Sequence, residues 1–246
     1  MEDALTLRVV HEEPSFLVVD KQANLPTVPL KDDPVEKQTL LSLIGDRYPE
    51  VLEVSGANVW EGGVLHRLDT ATSGLVVVAR TKEAYAFLQT IQKADLFWKE
   101  YRAQSTLYTP CTIVGFPEYP YEDPFAGKGK EVTIGSLFRR YGTNRREVRP
   151  VNAESPKHLL DKSTGTWYLT KVCYSGEGAD GAKQFTCRLS SGFRHQVRAH
   201  LAWSGWPLDG DRVYHGLEKT NLSLRSVAVQ LLHPVTQQQM EIRVDQ

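Results

Sequence analysis

The chain of 246 residues is poor in cysteine. It contains Cys111, Cys173 and Cys187, which are far apart in sequence and form no Cys-x-x-Cys pair. A zinc site built on cysteine pairs is therefore not expected. The odd number of cysteines, together with the lack of an apolar secretory segment, favours a protein of a reducing compartment.

The sequence also lacks a long apolar run and an excess of positive charge. No apolar stretch approaches the roughly 20 residues of a membrane-spanning helix, and the formal net charge is -1. We therefore expect a cytoplasmic protein without a membrane partner. A nucleic-acid partner would require positive charge concentrated locally, because phosphate contacts dominate such affinity.

One segment, 138–150, has such a local concentration. Its five arginines are interleaved with Phe138 and Tyr141, a combination that suits contacts to an RNA backbone and to bases. A solvated charged loop is the alternative. The candidate RNA-binding residues of this segment are Arg139, Arg140, Arg145, Arg146 and Arg149.

A single carboxylate, Asp69, stands between a charged lead-in and the apolar run Leu75–Ala79. This pattern predicts a loop that enters a buried strand and holds a reactive side chain on a rigid support. Asp69 is therefore a candidate nucleophile. The alternative is that Asp69 is a turn or cap residue, since short polar side chains often form hydrogen bonds to nearby amides.

The surrounding motif favours the reactive role. The sequence His66-Arg67-Leu68-Asp69, followed by Thr72-Ser73-Gly74 and an apolar run that ends at Ala79-Arg80, resembles the catalytic motif of the RluA-type RNA pseudouridine synthases. Further segments resemble the family in the same order along nearly the whole chain, namely Phe16–Lys21 with Asn24-Leu25-Pro26, Lys99–Ala103, Ser191–Leu201, Gly205–Asp211 with Tyr214, and Leu232-His233-Pro234.

The chain departs from the family pattern in two of these segments. Gln22 replaces a proline and Asn24 a glycine; asparagine tolerates the left-handed backbone, so the turn can survive. In the later motif Phe193 replaces an arginine and Arg194 a threonine, whereas Arg198 keeps its place.

The resemblance implies an isomerase that breaks the N1 to C1′ bond of a uridine in RNA, turns the base and rejoins it through C5. Asp69 would attack the sugar carbon or assist its deprotonation. Tyr101 would stack on the uracil and assist proton transfer. Arg198 would pair with Asp69 and keep its carboxylate ionised, with phosphate binding as its competing role. This chemistry requires no metal or redox cofactor.

Such a reaction requires the uridine to leave its stack. By the resemblance, Arg67 would enter the vacated helix or stabilise the extruded nucleotide. His66 either contacts RNA or orients the loop by a hydrogen bond. Arg194 and Arg198 are spaced one helical turn apart, which would place both on one face. The expected partner is ribosomal or transfer RNA, and no obligate protein partner is predicted.

Periodicity indicates the order of the elements. A strand pair surrounds Glu12–Ser15, an amphipathic stretch covers 35–48, and a helix capped by Thr81 covers 81–97. Strands are predicted at 101–107, 167–174, 184–189 and 227–232, and a helix at 194–203. The segment 115–162 is predicted to be a loop-rich insertion, because it is rich in proline, glycine and charge.

These elements predict an α+β fold with a mainly antiparallel sheet. The resemblance specifies the pseudouridine-synthase fold, a long bent sheet with flanking helices and a central RNA-binding cleft. A single catalytic domain is expected over 1–246, without an S4-type RNA-binding module before it. Two rival functions remain open: a catalytically inactive RNA-binding protein on the same fold, and an N-glycoside hydrolase that releases free base.

Overall fold

The computed structural model describes residues 6–31, 33–34, 36–110, 113–178 and 180–244, so Val35 and Cys111 lie outside the described residues. The chain divides into two compact units. The first comprises the residues up to Lys99 and those from Arg225 onward, and the second comprises Glu100–Leu224. The expectation of a single catalytic domain without an S4-type module stays a prediction.

The described residues form ten strands and four helices. The strands are β1 (Arg8–Glu12), β2 (Phe16–Lys21), β3 (Ser73–Ala79), β4 (Trp98–Ser105), β5 (Glu131–Tyr141), β6 (Glu147–Val151), β7 (Tyr168–Glu177), β8 (Lys183–Leu189), β9 (Leu224–Leu232) and β10 (Gln239–Arg243). The helices are α1 (Leu40–Arg47), α2 (Lys82–Lys93), α3 (Lys157–Leu160) and α4 (Gln196–Trp203). Short 3₁₀ turns cover Pro49–Glu53, Val59–Glu61 and Thr143–Arg145.

The first unit is built on a sheet in the order β1, β2, β3, β9, with β10 paired to β9. The β1–β2, β2–β3 and β9–β10 pairs are antiparallel, and β3 meets β9 in a short parallel contact. The middle strands β2 and β3 are almost entirely buried, so they read as continuous apolar runs. Helix α2 packs Leu88 and Ile91 into the same core as Val77.

The second unit contains the neighbouring strands β4, β8, β7, β5 and β6. The β5–β6, β5–β7 and β7–β8 pairs are antiparallel. A core of Phe138, Val148, Ala199, Ala202 and Tyr214 joins the β5–β6 hairpin to α4. The predicted α+β class with mainly antiparallel strands is confirmed.

The prediction of loops across 115–162 is wrong from Glu131 onward, because β5, β6 and α3 lie there. Gly135 and the arginines interrupt the apolar alternation of β5, so the sequence pattern did not predict this strand. The strand forms because its alternate side chains, among them Ile134 and Phe138, are buried in the tertiary structure.

Other elements agree with the sequence. The β1–β2 hairpin turns at Glu13, whose N–H donates to the carbonyl of Phe16 at 3.0 Å. Helix α2 begins after Thr81, whose hydroxyl accepts from the N–H of Ala84 at 3.1 Å, as predicted. In the described part of the chain, no helix is both long enough and apolar enough to cross a membrane.

The N-cap of α2 provides a test of this local structure. Thr81→Ala should lower the free energy of unfolding by about 1 kcal/mol, because the N–H of Ala84 loses its acceptor at the helix end. Thr90→Ala is the matched control, since the Thr90 hydroxyl is exposed and donates to the carbonyl of Ala86 inside the same helix. Urea unfolding of the two variants checks this, and equal stabilities would contradict the capping role.

Candidate active site

Asp69 lies half-buried in the loop that leads into β3. Its own carbonyl accepts from the N–H of Thr72 at 3.0 Å, which closes a turn just before the strand. Gly74 is required at the start of the strand: a Cβ there would lie 2.1 Å from the carbonyl oxygen of Ser226 on β9. The glycine therefore lets β3 and β9 approach closely, and the loop begins from a fixed point.

The residues on both sides of Asp69 are held by buried side chains from the opening segment. The Thr27 hydroxyl accepts from the N–H of Leu68 at 3.2 Å and donates to its carbonyl at 2.8 Å. The Lys21 ammonium donates to the carbonyl of Thr70 at 3.0 Å. The backbone is thus restrained immediately before and after Asp69, which limits the positions that its carboxylate can occupy.

Lys21 is the residue that the sequence analysis missed. It is fully buried, and its ammonium also donates to the carbonyls of Gln22 and Leu25, at 2.9 and 2.7 Å. Burial lowers the pKa of Lys21 to about 8, while attraction to Asp69 opposes that shift. The sequence signal was the lysine that ends the predicted opening strand, followed by a turn at Asn24, where φ is 64° as expected for a left-handed residue.

His66 has the environment of a residue that orients the loop. Its side chain is buried, and its Nε2 accepts from the N–H of Val77 at 3.2 Å. Burial and the nearby charge of Lys99 lower the pKa of His66 well below its ordinary value, so the ring is neutral at physiological pH. Its assignment among the RNA-binding residues stays a prediction, and burial of a ring that is bonded to the strand favours the alternative role of orienting the loop.

Arg67 has the opposite environment. Its side chain is 58% exposed, and its guanidinium pairs at 2.8 Å with the buried carboxylate of Glu61. Glu61 also accepts from the side-chain amide of Asn58 at 3.0 Å. An exposed cation therefore stands two residues before Asp69 and is anchored at one end, a geometry suited to contact with a nucleic acid.

In the second unit, Tyr101 lies on β4 with its side chain buried on the same face as Ala103. Arg198 lies on α4 and is also buried. Its Nε and Nη2 donate to the two carboxylate oxygens of Asp211, each at 2.7 Å. This bidentate pair fixes the arginine plane. Asp211 was not singled out from the sequence, and the expected pairing of Arg198 with Asp69 stays a prediction.

Arg194 is not on the same helical face as Arg198. Helix α4 begins at Gln196, because His195 adopts a left-handed backbone with φ 55°. The spacing of four residues therefore does not correspond to one helical turn. Instead, the Arg194 guanidinium donates to the carbonyls of Arg145 and Arg146, at 3.1 and 3.2 Å, and so holds the tip of the β5–β6 hairpin.

The remaining arginines of 138–150 divide into exposed and buried groups. Arg140, Arg145 and Arg146 are exposed at or near the hairpin tip, whereas Arg139 is half-buried and Arg149 buried. The predicted Arg-rich segment is thus a two-stranded hairpin rather than an irregular loop.

Lys99 is a second buried lysine of the first unit, and burial lowers its pKa to about 8. The folded chain therefore binds fewer protons than the unfolded chain between pH 8 and the ordinary pKa of lysine. The contribution of Lys99 to the free energy of unfolding is therefore complete above the ordinary pKa of lysine, and it is lost as the pH falls through about 8.

Lys99→Met tests this directly. Relative to the variant, the wild type should gain about 1.4 kcal/mol of unfolding free energy per pH unit between about pH 8 and 10. Chemical unfolding at a series of pH values measures the difference. The exposed Lys82→Met should run parallel to the wild type, and a parallel curve for Lys99→Met would contradict the shifted lysine.

Comparison with known proteins agrees with the motifs. The sequence model described as RNA pseudouridylate synthase matches residues 15–203. "Ribosomal large subunit pseudouridine synthase D" of Blochmanniella floridana is 27% identical over 96% of this chain and 68% of its own length. The Pseudomonas aeruginosa protein of the same name is 28% identical over 97% of this chain and 63% of its own length.

A third relative, an "Uncharacterized RNA pseudouridine synthase" of Helicobacter pylori, is 26% identical over 98% of this chain and 66% of its own length. The chain thus spans about two thirds of these relatives. Among solved structures, "Human RNA Pseudouridylate Synthase Domain Containing 1" matches with a TM-score of 0.67 and 20% identity, over 100% of this chain and 86% of that one. This likeness supports the fold.

Proposed function

Because the chain belongs to the RNA pseudouridylate synthase family, as the sequence motifs indicated, we propose that it isomerises a specific uridine of an RNA to pseudouridine. The observation that carries the proposal is the restrained loop around Asp69. Leu68 and Thr70 are held by Thr27 and Lys21, so the residue between them, Asp69, stands on a fixed support. A carboxylate so placed suits attack at a sugar carbon.

In the proposed reaction the Asp69 carboxylate attacks the sugar or assists its deprotonation, and the N1 to C1′ bond breaks. The freed uracil turns and forms a bond from C5 to C1′. Where the carboxylate attacked C1′, this bond displaces it, and where it removed a sugar proton, that proton returns to the sugar. The proton lost from C5 is balanced by the proton gained at N1, so the product is an isomer. Tyr101 stacks on the uracil and assists the proton transfer, and Arg198 pairs with the reacting carboxylate.

The proposed substrate is ribosomal RNA of the large subunit, as the names of the relatives suggest, and transfer RNA is the other class of target. The exposed Arg67 would enter the space left by the extruded nucleotide. The arginines of the β5–β6 hairpin would contact the RNA backbone. A cytoplasmic location is part of the same proposal.

Asp69→Asn tests the nucleophile. Turnover should fall by about a thousandfold or more, because the amide cannot act as a nucleophile or base, while RNA affinity should remain within about twofold. Asp46→Asn, on the exposed face of α1, is the matched control and should retain full activity.

Pseudouridine is measured by carbodiimide labelling and primer extension, in RNA from cells that lack the protein. A stop at one uridine with wild type alone identifies the activity and its target together. Release of free uracil would instead indicate the hydrolase. RNA binding without either product would indicate the catalytically inactive alternative.

Tyr101→Phe separates the two roles of the tyrosine. The ring remains, so KM should be almost unchanged, while loss of the hydroxyl should lower kcat by about a hundredfold if it assists proton transfer. Tyr101→Leu should raise KM as well, because stacking is lost. Single-turnover kinetics on the identified RNA provide both constants. A wild-type kcat for Tyr101→Phe would leave the tyrosine only a packing role.

A further inference from the structure

Four side chains share one face of the β5–β6 hairpin. Arg139 is directly opposite Arg149 in the strand register, and Tyr141 is opposite Glu147. Because side chains alternate along a strand, these four lie together, whereas Arg140, opposite Val148, lies on the other face. We call the set Arg139, Tyr141, Glu147 and Arg149 the arginine face.

The arginine face is electrostatically unbalanced. Like charges directly opposite each other destabilise a pair of strands. Glu147 compensates the charge of Arg149, because its carboxylate accepts a hydrogen bond from the Nε of Arg149 at 2.5 Å. Within the described residues, the Nε of Arg139 is buried without a hydrogen-bond partner. Burial and the charge of Arg149 lower the pKa of the Arg139 guanidinium. A buried donor of this kind calls for an acceptor, and a bound anion would supply one.

The two guanidiniums are already held in place. The central carbon of Arg149 lies 3.3 Å from the centroid of the Tyr141 ring, and that of Arg139 lies 4.9 Å from it. Gly115, with φ +85°, lies so close to Arg149 that a Cβ would be 2.2 Å from its Nη1. Ordering of this kind reduces the entropy lost when a ligand binds.

A cavity of about 230 Å³ adjoins the arginine face, and Glu147 and Arg149 form part of its lining. The apolar part of the lining consists of Ile113, Val114, Ala202 and Pro207. Such a space has room for one small ring rather than for a drug-sized ligand. A charged edge beside an apolar cavity matches a ligand with an anionic group and a flat, mostly apolar body, which is the chemistry of a nucleotide.

We propose that the arginine face and its cavity form a subsite for one nucleotide of the RNA, other than the reacting uridine. The phosphate lies on Arg139 and Arg149, and the base enters the cavity. This inference rests on the proposed function, because the RNA substrate supplies the nucleotide. It divides the arginines of the hairpin by face, and assigns to this subsite the two that are least exposed.

The phosphate contact is tested with Arg139→Gln and the matched control Arg140→Gln, which removes the same charge from the opposite face. Binding of end-labelled ribosomal RNA is measured over a range of salt concentrations. Arg139→Gln should weaken binding by about fivefold to tenfold and reduce the salt slope by about one phosphate contact. Arg140→Gln should lose less than a third as much. Equal losses, or none for Arg139→Gln, would overturn the subsite.

A gain of affinity guards against misfolding of that variant. Glu147→Gln removes the carboxylate that competes with phosphate for Arg149, so RNA should bind about threefold more tightly. Glu131→Gln, at the start of the neighbouring strand β5 and outside the arginine face, measures the general effect of removing one negative charge. A gain no larger for Glu147→Gln than for Glu131→Gln would contradict the proposal.

The cavity is tested by competition with small ligands at equal concentration. Uridine 5′-monophosphate should displace labelled RNA more effectively than ribose 5-phosphate, because only the former has a base. Equal competition by the two ligands would contradict the placement of the base in the cavity. The proposed function is tested separately, by measuring pseudouridine formation by the wild type in the same RNA. If Arg139→Gln weakens binding but the wild type forms no pseudouridine, the subsite is supported and the isomerase activity is contradicted.

Discussion

The candidate active site depends on the hydrogen bonds that the ammonium of Lys21 donates to the backbone. The ammonium is buried, and it binds the carbonyls of Gln22, Leu25 and Thr70 at once. Desolvation of an ammonium costs several kcal/mol unless its donors are satisfied, and here three carbonyls satisfy them. The opening segment and the loop of Asp69 are therefore joined by a cation that is stable only when both are in place.

The same loop is also supported by two uncharged side chains, those of His66 and Thr27. His66 is neutral because it is buried near Lys99, and in that form its Nε2 accepts the N–H of Val77. Thr27 bonds both backbone groups of Leu68. The backbone on both sides of Asp69 is consequently fixed by hydrogen bonds to its neighbours. Preorganisation of this kind is more effective than a flexible loop, because no ordering is required at the moment of reaction.

In the second unit, the two departures from the family motif both contact the β5–β6 hairpin. Phe193 stacks on Phe138 with ring centroids 5.3 Å apart, and Arg194 binds two carbonyls at the hairpin tip. The His195 ring adds a contact to Tyr214, whose hydroxyl bonds Val148. The segment before α4 therefore holds the hairpin and its arginines beside the helix that carries Arg198.

The sequence by itself determined the family, the α+β class, the loop and strand around Asp69, and the cap of α2. These properties depend on contiguous residues, whose pattern is visible without knowledge of distant neighbours. The orientation of His66 and the location of Arg194 could not be read in this way, because a hydrogen bond to Val77 and one left-handed residue decided them. Strands β5 and β6 were likewise hidden, since their arginines interrupt the apolar pattern.

Only the tertiary structure decided the roles of Lys21, Asp211 and the arginine face. Each depends on groups that are separated in sequence: Lys21 reaches Thr70, Arg198 reaches Asp211, and Arg139 lies opposite Arg149 across a hairpin. The sequence supplies the charges. Folding decides which charges are buried, which are paired and which face a ligand, because desolvation and pairing depend on distance in space rather than along the chain.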